Sequence, residues 1–254
     1  MQVVILAAGM GLRLGHLTRV TPKAMISVNE VVLLDYALSP LLADKRVEEI
    51  IVVGGFQYEM IAEHIESRYA AFGDRIRVVQ NRDFKLGNLF TLKAALPFLS
   101  SSFLICNADH IYSEATWKES ILASRDSVSI FCDFLRQLAS DEMKVSLSQP
   151  DKKFVAMSKT LQDYDCGYVG LTYVPKNRLE AYRKAVESTL MHFGEKAVVE
   201  NVLPILASEQ NENIAIVPFD KYRWYEVDTR EDLIKAEAAL QTLAEQAGSD
   251  SQAL

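Results

Sequence analysis

Two glycines, an arginine and a lysine stand close together behind an apolar run at the start of this 254-residue chain. Val3 to Leu6 is continuously apolar; Ala7, Ala8, Gly9, Met10 and Gly11 follow, then Arg13 and, further on, Pro22-Lys23. No acidic residue precedes Glu30, whereas Arg13, Arg19 and Lys23 do, in a chain of formal net charge −7. Glycines let backbone N–H groups approach phosphate oxygens closely, and nearby cations neutralise them. The spacing does not fit a dinucleotide fingerprint, whose third glycine would fall at Leu14 and not at Gly15, and a Walker loop would need Gly-Lys-Ser/Thr. The bland alternative is a glycine-rich turn of an α/β protein.

Two aspartates also follow apolar runs: Asp109 after Phe103–Cys106, and Asp228 within Trp224-Tyr225-Glu226-Val227-Asp228-Thr229. By themselves they read equally as a turn residue and as the cap of the last helix.

These residues need a scaffold. Val3–Leu6, Ile50–Val53, Ile76–Val79, Phe103–Cys106 and Val128–Cys132 are short apolar runs that read as strands, the unbroken ones buried on both faces. Val31–Leu42, Tyr58–Tyr69, Leu89–Leu96 and Trp117–Ala123 repeat at helical spacing, the third stopping near Pro97. The alternation predicts an α/β fold, a mainly parallel Rossmann-like sheet with helices on both faces. Ligands sit beyond the carboxyl ends of such strands, where the Ala7–Arg13 loop and the turn at Asp109 both open.

After residue 140 the pattern changes. Met143–Leu147 and Phe154–Met157 read as a hairpin around Gln149-Pro150-Asp151, and Tyr168–Val174 as a strand closed by Pro175. Leu179–Leu190 and Val198–Ala207 read as helices, Ile214–Val217 and Arg223–Val227 as short strands. Thr229 and Asp232 then begin a helix running to about Gln246. The expectation is one domain over 1–246, divided near 139, with a small lobe over about 140–225, a closing strand and helix over 223–246, and a flexible tail at 247–254.

Composition narrows the class. Hydrophobic content of 49% and charged content of 24% are ordinary for a globular protein. The acidic balance argues against nucleic acid as a partner and leaves room for a small anionic ligand in a local cationic pocket. Cys106, Cys132 and Cys166 are odd in number and widely spaced, which predicts reduced buried thiols in a cytoplasmic protein. No apolar run reaches the roughly 18–20 residues that cross a bilayer, and no basic leader precedes the first apolar residues, so neither membrane insertion nor secretion is expected. A homodimer is compatible with the sequence.

Leu6-Ala7-Ala8-Gly9-Met10-Gly11-Leu12-Arg13-Leu14 with Pro22-Lys23 resembles the signature of nucleotidyltransferases that activate sugar phosphates and polyol or choline phosphates. Further stretches resemble the cytidylyltransferases that act on inositol phosphate or choline phosphate: Gly87-Asn88-Leu89-Phe90-Thr91-Leu92 after Asn81, Asp109-His110-Ile111-Tyr112-Ser113, Asp165-Cys166-Gly167-Tyr168-Val169-Gly170, and Tyr225 to Asp232. Tyr168 and Val169 stand where that family is expected to carry aspartate and threonine, which leaves the acceptor open. The resemblance covers the chain to about residue 243 and implies a GT-A-like nucleotidyltransferase fold whose second lobe binds the acceptor.

It also implies roles. Leu6, Ala7, Ala8, Gly9, Met10, Gly11 and Ala108 would surround the nucleotide, and Asn81, Gly87 and Asn88 would read a cytosine base. Arg13 and Lys23 would balance the β- and γ-phosphates that leave as pyrophosphate. Asp109 and Asp228 would hold Mg²⁺, the implied cofactor. Lys144 would guide the acceptor phosphate, and Asp165, Glu200 and Glu226 would contact the acceptor, with Asn201 beside Glu200. The implied reaction is transfer of CMP from CTP to a small phosphorylated alcohol, inositol phosphate-like or choline phosphate-like, giving a CDP-alcohol and pyrophosphate.

Each role has a plainer counterpart: a solvated strand lysine at 144, a helix start at Glu200 and Asn201, a structural histidine at 110. Choline requires aromatic faces, for which Tyr222, Trp224 and Tyr225 are the available wall unless they pack on the last helix. Two other readings stay open: a hexose-1-phosphate uridylyl-, guanylyl- or thymidylyltransferase, and an inactive nucleotide-sensing regulatory subunit. Against the second, Arg13, Lys23, Asp109 and Asp228 are all present.

Overall fold

The computed structural model describes residues 1–118, 123 and 125–251, with side chains to residue 242. In chain order, β1 (Gln2–Ala7) leads through the glycine loop to a small hairpin, β2 (Ser27–Val28) and β3 (Val31–Val32), and on to α1 (Leu33–Ala43). Then come β4 (Glu49–Gly54), α2 (Tyr58–Tyr69), β5 (Ile76–Gln80), α3 (Leu89–Ala95), β6 (Phe103–Asn107), β7 (His110–Tyr112) and the short α4 (Glu114–Thr116). The second part runs β8 (Ser129–Asp133), β9 (Lys144–Leu147), β10 (Phe154–Ser158), β11 (Cys166–Val174), α5 (Leu179–Phe193), α6 (Val202–Glu209), β12 (Ala215–Pro218), β13 (Trp224–Glu226) and α7 (Arg230–Ser251).

One sheet organises nearly all of this, in the order β10-β9-β11-β6-β1-β4-β5, with β8 on β11 and β12 on β8. β6, β1, β4 and β5 are mutually parallel, as strands joined by crossover helices must be. β11 runs antiparallel to β6 and β8, and the β9–β10 hairpin adds a further antiparallel pair. The sheet is therefore mixed, parallel at its centre, and the second part of the chain extends the same sheet.

The strand period splits the core between the two faces. Val3, Ile5, Ile50, Val52 and Leu104 meet Leu34, Leu38 and Leu41 of α1 and Ile61 and Ile65 of α2. Val4, Leu6, Ile51, Val53 and Ile105 meet Leu89 and Leu92 of α3, Val186 of α5 and Leu203 of α6. A third cluster joins Leu14, Val28, Leu33 and Ile111 to Val227, Leu233 and Ala236, and so seats α7 beside the glycine loop. Thr229 and Asp232 cap α7 reciprocally: Thr229 N and Oγ1 donate to Asp232 Oδ2 (2.9 and 2.7 Å), and Asp232 N donates to Thr229 Oγ1 (3.2 Å).

Three boundaries differ from the sequence pattern. Val31 and Val32 pair as β3 before the helix begins at Leu33, because Val28 and Val31 face each other across a tight turn. The helix expected from Val198 begins with a 3₁₀ turn, Val199–Asn201, before α6. The last helix runs on to Ser251, past Gln246; Gln252 to Leu254 lie outside the described residues, as does most of the helix expected over Trp117–Ala123. Cys106, Cys132 and Cys166 are buried and free of disulfides. No helix among the described residues is long and apolar enough to cross a membrane.

Candidate active site

β1 ends at Ala7, at the centre of the sheet's carboxyl edge, and the chain turns away through Ala8 to Gly11. A Cβ on Gly9 would meet nothing within 4 Å, so its backbone faces open space. Gly11 has φ +63°, and a Cβ there would stand 2.9 Å from Lys23 Cβ, so only glycine fits. Its carbonyl accepts from Thr18 Oγ1 (2.7 Å), which folds the loop back towards the turn at Pro22-Lys23.

That turn buries Lys23 and aims its ammonium between two carboxylates. Nζ donates to Asp109 Oδ2 (2.5 Å) and to Asp228 Oδ1. Arg13 donates to the other oxygen of Asp228 and to Asp141 Oδ2 (2.5 Å). Asp109 reaches the site because β6 ends beside β1. Asp228 reaches it because β13 pairs with β7, the pairing continuing as Val227 N donates to the Asp109 carbonyl (3.0 Å). Asp109 and Glu226 also meet His110, one ligand atom from each of the three lying within 4.8 Å of the others.

The field of this cluster is uneven. Burial works against the Asp109 carboxylate, but Lys23 and His110 outweigh it and hold its pKa far below the usual range. Burial also works against the Lys23 ammonium, yet Asp109 and Asp228 keep its pKa raised. Glu226 is pushed up to about 7, first by burial and then by Asp109 and Asp228, against the opposing pull of His110 and Lys23. Glu200 is raised by burial.

One cleft gathers most of the residues singled out in the sequence. Leu6, Ala7, Ala8 and Gly9 form its floor with Ala108, while Arg13, Lys23, Asp109 and Asp228 form one wall. Asn88, Glu200 and Glu226 also line it, and Asn88 Oδ1 accepts from Val199 N (2.8 Å). Met10 lines a neighbouring recess with Phe56, and Gly11 serves the turn. Asn81 is buried behind the cleft, where its Nδ2 donates to Thr91 Oγ1 (3.0 Å) and so fixes a residue that does line it. Gly87 lies against the 194–197 turn: its N–H donates to the Glu195 carbonyl (2.7 Å), and a Cβ would overlap the Ala197 carbonyl oxygen at 2.0 Å.

Two residues expected at the acceptor lie outside this cleft. Lys144 does not line the cleft; its buried ammonium donates to the carbonyls of Ala139, Ser140, Glu142 and Lys159 at 2.9–3.3 Å, leaving it no free donor. Asp165 sits beside the hairpin, where its carboxylate accepts from Leu147 N (2.7 Å) and Gln149 Nε2 (3.5 Å). Beside Lys23, the lysine that does line the cleft is Lys159, together with Ala24, Thr91 and Asn107. Because Ser158 pairs with Lys144 across the hairpin, Lys159 is the next position beyond the strand end. The hairpin pattern held that signal, since an antiparallel partner ends at the same edge where β9 begins.

Two of the three aromatic residues are already partnered. Trp224 lies flat on His110, with centroids 5.7 Å apart and planes at 2°, and the Arg136 guanidinium covers it at 4.3 Å. Tyr222 packs on Phe219 at 5.0 Å.

Residues 3–139 match the MobA-like NTP transferase domain. The chain belongs to this family. A curated relative of this chain, the bifunctional IPC transferase and DIPP synthase of Rubrobacter xylanophilus, is 30% identical over 71% of the chain, which spans only 40% of that relative's length. The inositol-1-phosphate CTP transferase of T. maritima superposes with a TM-score of 0.74 at 20% identity, covering 91% of this chain and 90% of its own. The CTP:phosphocholine cytidylyltransferase of Streptococcus pneumoniae superposes with a TM-score of 0.73 at 21% identity, covering 94% and 98%. The chain thus has the fold of these enzymes over almost its whole length.

Proposed function

We propose that this NTP transferase is a Mg²⁺-dependent cytidylyltransferase that moves CMP from CTP to a small phosphorylated alcohol and releases pyrophosphate. The observation that carries the reading is Lys23 bridging Asp109 and Asp228 at the end of the glycine loop. Two carboxylates from distant segments converge on one cation, and they offer the hard oxygen donors that Mg²⁺ takes. Asp109 and Asp228 would hold the ion, which when bound neutralises charge on the substrate phosphates.

The remaining work falls to the chain's own groups. The open backbone at Gly9 admits a phosphate, and Arg13 and Lys23 offset the charge of the leaving pyrophosphate. Lys159 takes the acceptor phosphate in place of Lys144. An oxygen of that phosphate attacks the α-phosphorus while the bond to the β-phosphate oxygen breaks. With a second pKa of about 6, a phosphate monoester is largely dianionic at neutral pH and needs no general base.

At the acceptor end, Glu200 and Glu226 are placed to accept hydrogen bonds from hydroxyls beside Lys159. The Arg136 guanidinium already lies over the Trp224 ring at 4.3 Å, so a quaternary ammonium would meet a like charge there, which favours the inositol-like acceptor over the choline-like one.

The test is pyrophosphate release with Mg²⁺ across CTP, UTP, GTP, ATP and dTTP. The acceptors are inositol-1-phosphate, phosphocholine, 2-aminoethylphosphonate, glycerol-3-phosphate and hexose-1-phosphates. Turnover with CTP and a non-sugar phosphate supports the proposal. Turnover with another nucleotide and a hexose phosphate replaces it with the sugar branch. Nucleotide binding with no turnover favours a regulatory subunit.

A further inference from the structure

Asp109 is held at both of its oxygens. Oδ2 accepts from Lys23, and Oδ1 meets His110 Nδ1 at 2.7 Å. An ionised carboxylate only accepts, so Nδ1 carries the proton of that bond. The ring that carries it has little freedom. It is buried and lies flat on Trp224, whose Nε1 donates to Asp133 at the end of β8 (3.2 Å). Its other nitrogen is hemmed in by β11: a Cβ on Gly170, where φ is +79°, would come within 2.8 Å of Nε2.

We infer that His110 is a positioning residue for nucleotidyl transfer: its Nδ1–H sets the plane of the Asp109 carboxylate, and the Trp224 stack holds the ring to the acceptor-side strands. The inference rests on the metal role proposed above for Asp109. Lys23 and the metal compete for the same carboxylate, so the bond from His110 is the one that keeps Asp109 aimed when Lys23 turns to the phosphates. Without that donor, Asp109 keeps its charge and loses its aim. Metal affinity and kcat then suffer, while the glycine loop still binds the nucleotide. The same stack ties the carboxylate to Asp133 and Arg136, so the acceptor side of the sheet and the metal end are mechanically one unit.

The test compares His110→Phe, which keeps a flat ring and removes the donor, with His110→Asn, which restores an N–H near the place of Nδ1. The readouts are Mn²⁺ affinity of the nucleotide-free protein by paramagnetic resonance, and kcat and KM for CTP. His110→Phe is expected to weaken Mn²⁺ on the order of tenfold and to lower kcat by a similar factor, the usual scale for a partner of a metal ligand, with KM for CTP nearly unchanged. His110→Asn should recover most of both. Trp224→Leu, which removes the stack and leaves both the donor and Asp109, should move Mn²⁺ affinity in the same direction. Should His110→Phe fail to fold, Trp224→Leu and His110→Asn carry the comparison, and wild-type Mn²⁺ affinity in Trp224→Leu overturns the inference.

Asp109→Asn separates the two ways of failing. Mn²⁺ binding that Asp109→Asn weakens and His110→Phe leaves intact overturns the positioning role alone. Mn²⁺ binding indifferent to Asp109→Asn overturns the metal reading and the inference with it.

Discussion

Lys144 donates from its buried ammonium to the backbone carbonyl of Lys159, 2.9 Å away. Three more carbonyls, of Ala139, Ser140 and Glu142, share the same ammonium, so one side chain ties the 139–142 loop to the end of β10. Hydrogen bonds from a charged donor contribute about 1.5–3 kcal/mol. Lys144→Met keeps the stem and removes the donors, and should cost about 2–3 kcal/mol in urea unfolding. Lys159→Ala, at an exposed position, should leave stability within about 0.5 kcal/mol and raise the acceptor KM by about tenfold. The opposite pattern would return the acceptor role to Lys144.

Arg13 is shared between Asp228 and Asp141, and in the proposed reaction CTP would have to win it from the second. Both Arg13 and Asp141 are half exposed, so the pair contributes at most about 1 kcal/mol. Asp141→Asn should therefore tighten CTP binding by no more than about fivefold, measured by calorimetry. Weaker binding would mean that Asp141 holds Arg13 in place for the nucleotide.

Lys23 neutralises two carboxylates that otherwise face each other. Lys23→Ala should destabilise the fold by about 3 kcal/mol, the scale for stranding charge in a partly buried site. Millimolar Mg²⁺ should raise the melting temperature of Lys23→Ala more than that of the wild type, because the ion substitutes for the lost cation. An equal Mg²⁺ response in both proteins would count against a metal between Asp109 and Asp228.

Gly87 packs where a methyl group would overlap the Ala197 carbonyl. Backbone cannot yield as a side-chain tip can, so Gly87→Ala should cost about 3 kcal/mol or more, seen as a lowered melting temperature. A stable variant with altered base preference would place Gly87 at the base instead.

Asp44 offers a pH test away from the cleft. Hydrogen bonds from Arg46 (2.6–2.9 Å) lower its pKa to about 2, below the unfolded value of about 3.9. A depressed folded pKa contributes stability that is complete above the unfolded value and is lost as pH falls through the folded one. With Arg46 partly exposed, the contribution is about 1 kcal/mol. Asp44→Asn should flatten the stability profile between about pH 4 and pH 2; an unchanged acid limb would show that the pair contributes nothing.

Much of this was legible because chemistry and strand pattern coincided. Gly9, Arg13 and Lys23 sit close to one buried strand, and Asp109 follows another that pairs with it directly. Lys144 and Lys159 show what local pattern leaves open. Both flank the same strand pair, and only the register, Ser158 opposite Lys144, decides which ammonium turns into the wall and which stands at the rim. Asn81 and Gly87 do not line the cleft: one contacts Thr91 and the other the 194–197 turn. The second contact joins segments far apart in sequence, which no short motif encodes. His110 carries no periodic signal beyond its place beside Asp109, and its stack on Trp224 depends on β7 meeting β13.

That meeting of β7 and β13 also sets an order in time. Lys23 and Asp228 touch across 205 residues of chain, and the strand that delivers Asp228 is the last to be made. During synthesis the glycine loop, Lys23 and Asp109 all leave the ribosome long before their final partner. A nascent chain thus carries the pocket's floor while its pair of carboxylates stays incomplete. Asp109 and Lys23 therefore gain their partner carboxylate only after β13 has been made and has paired with β7.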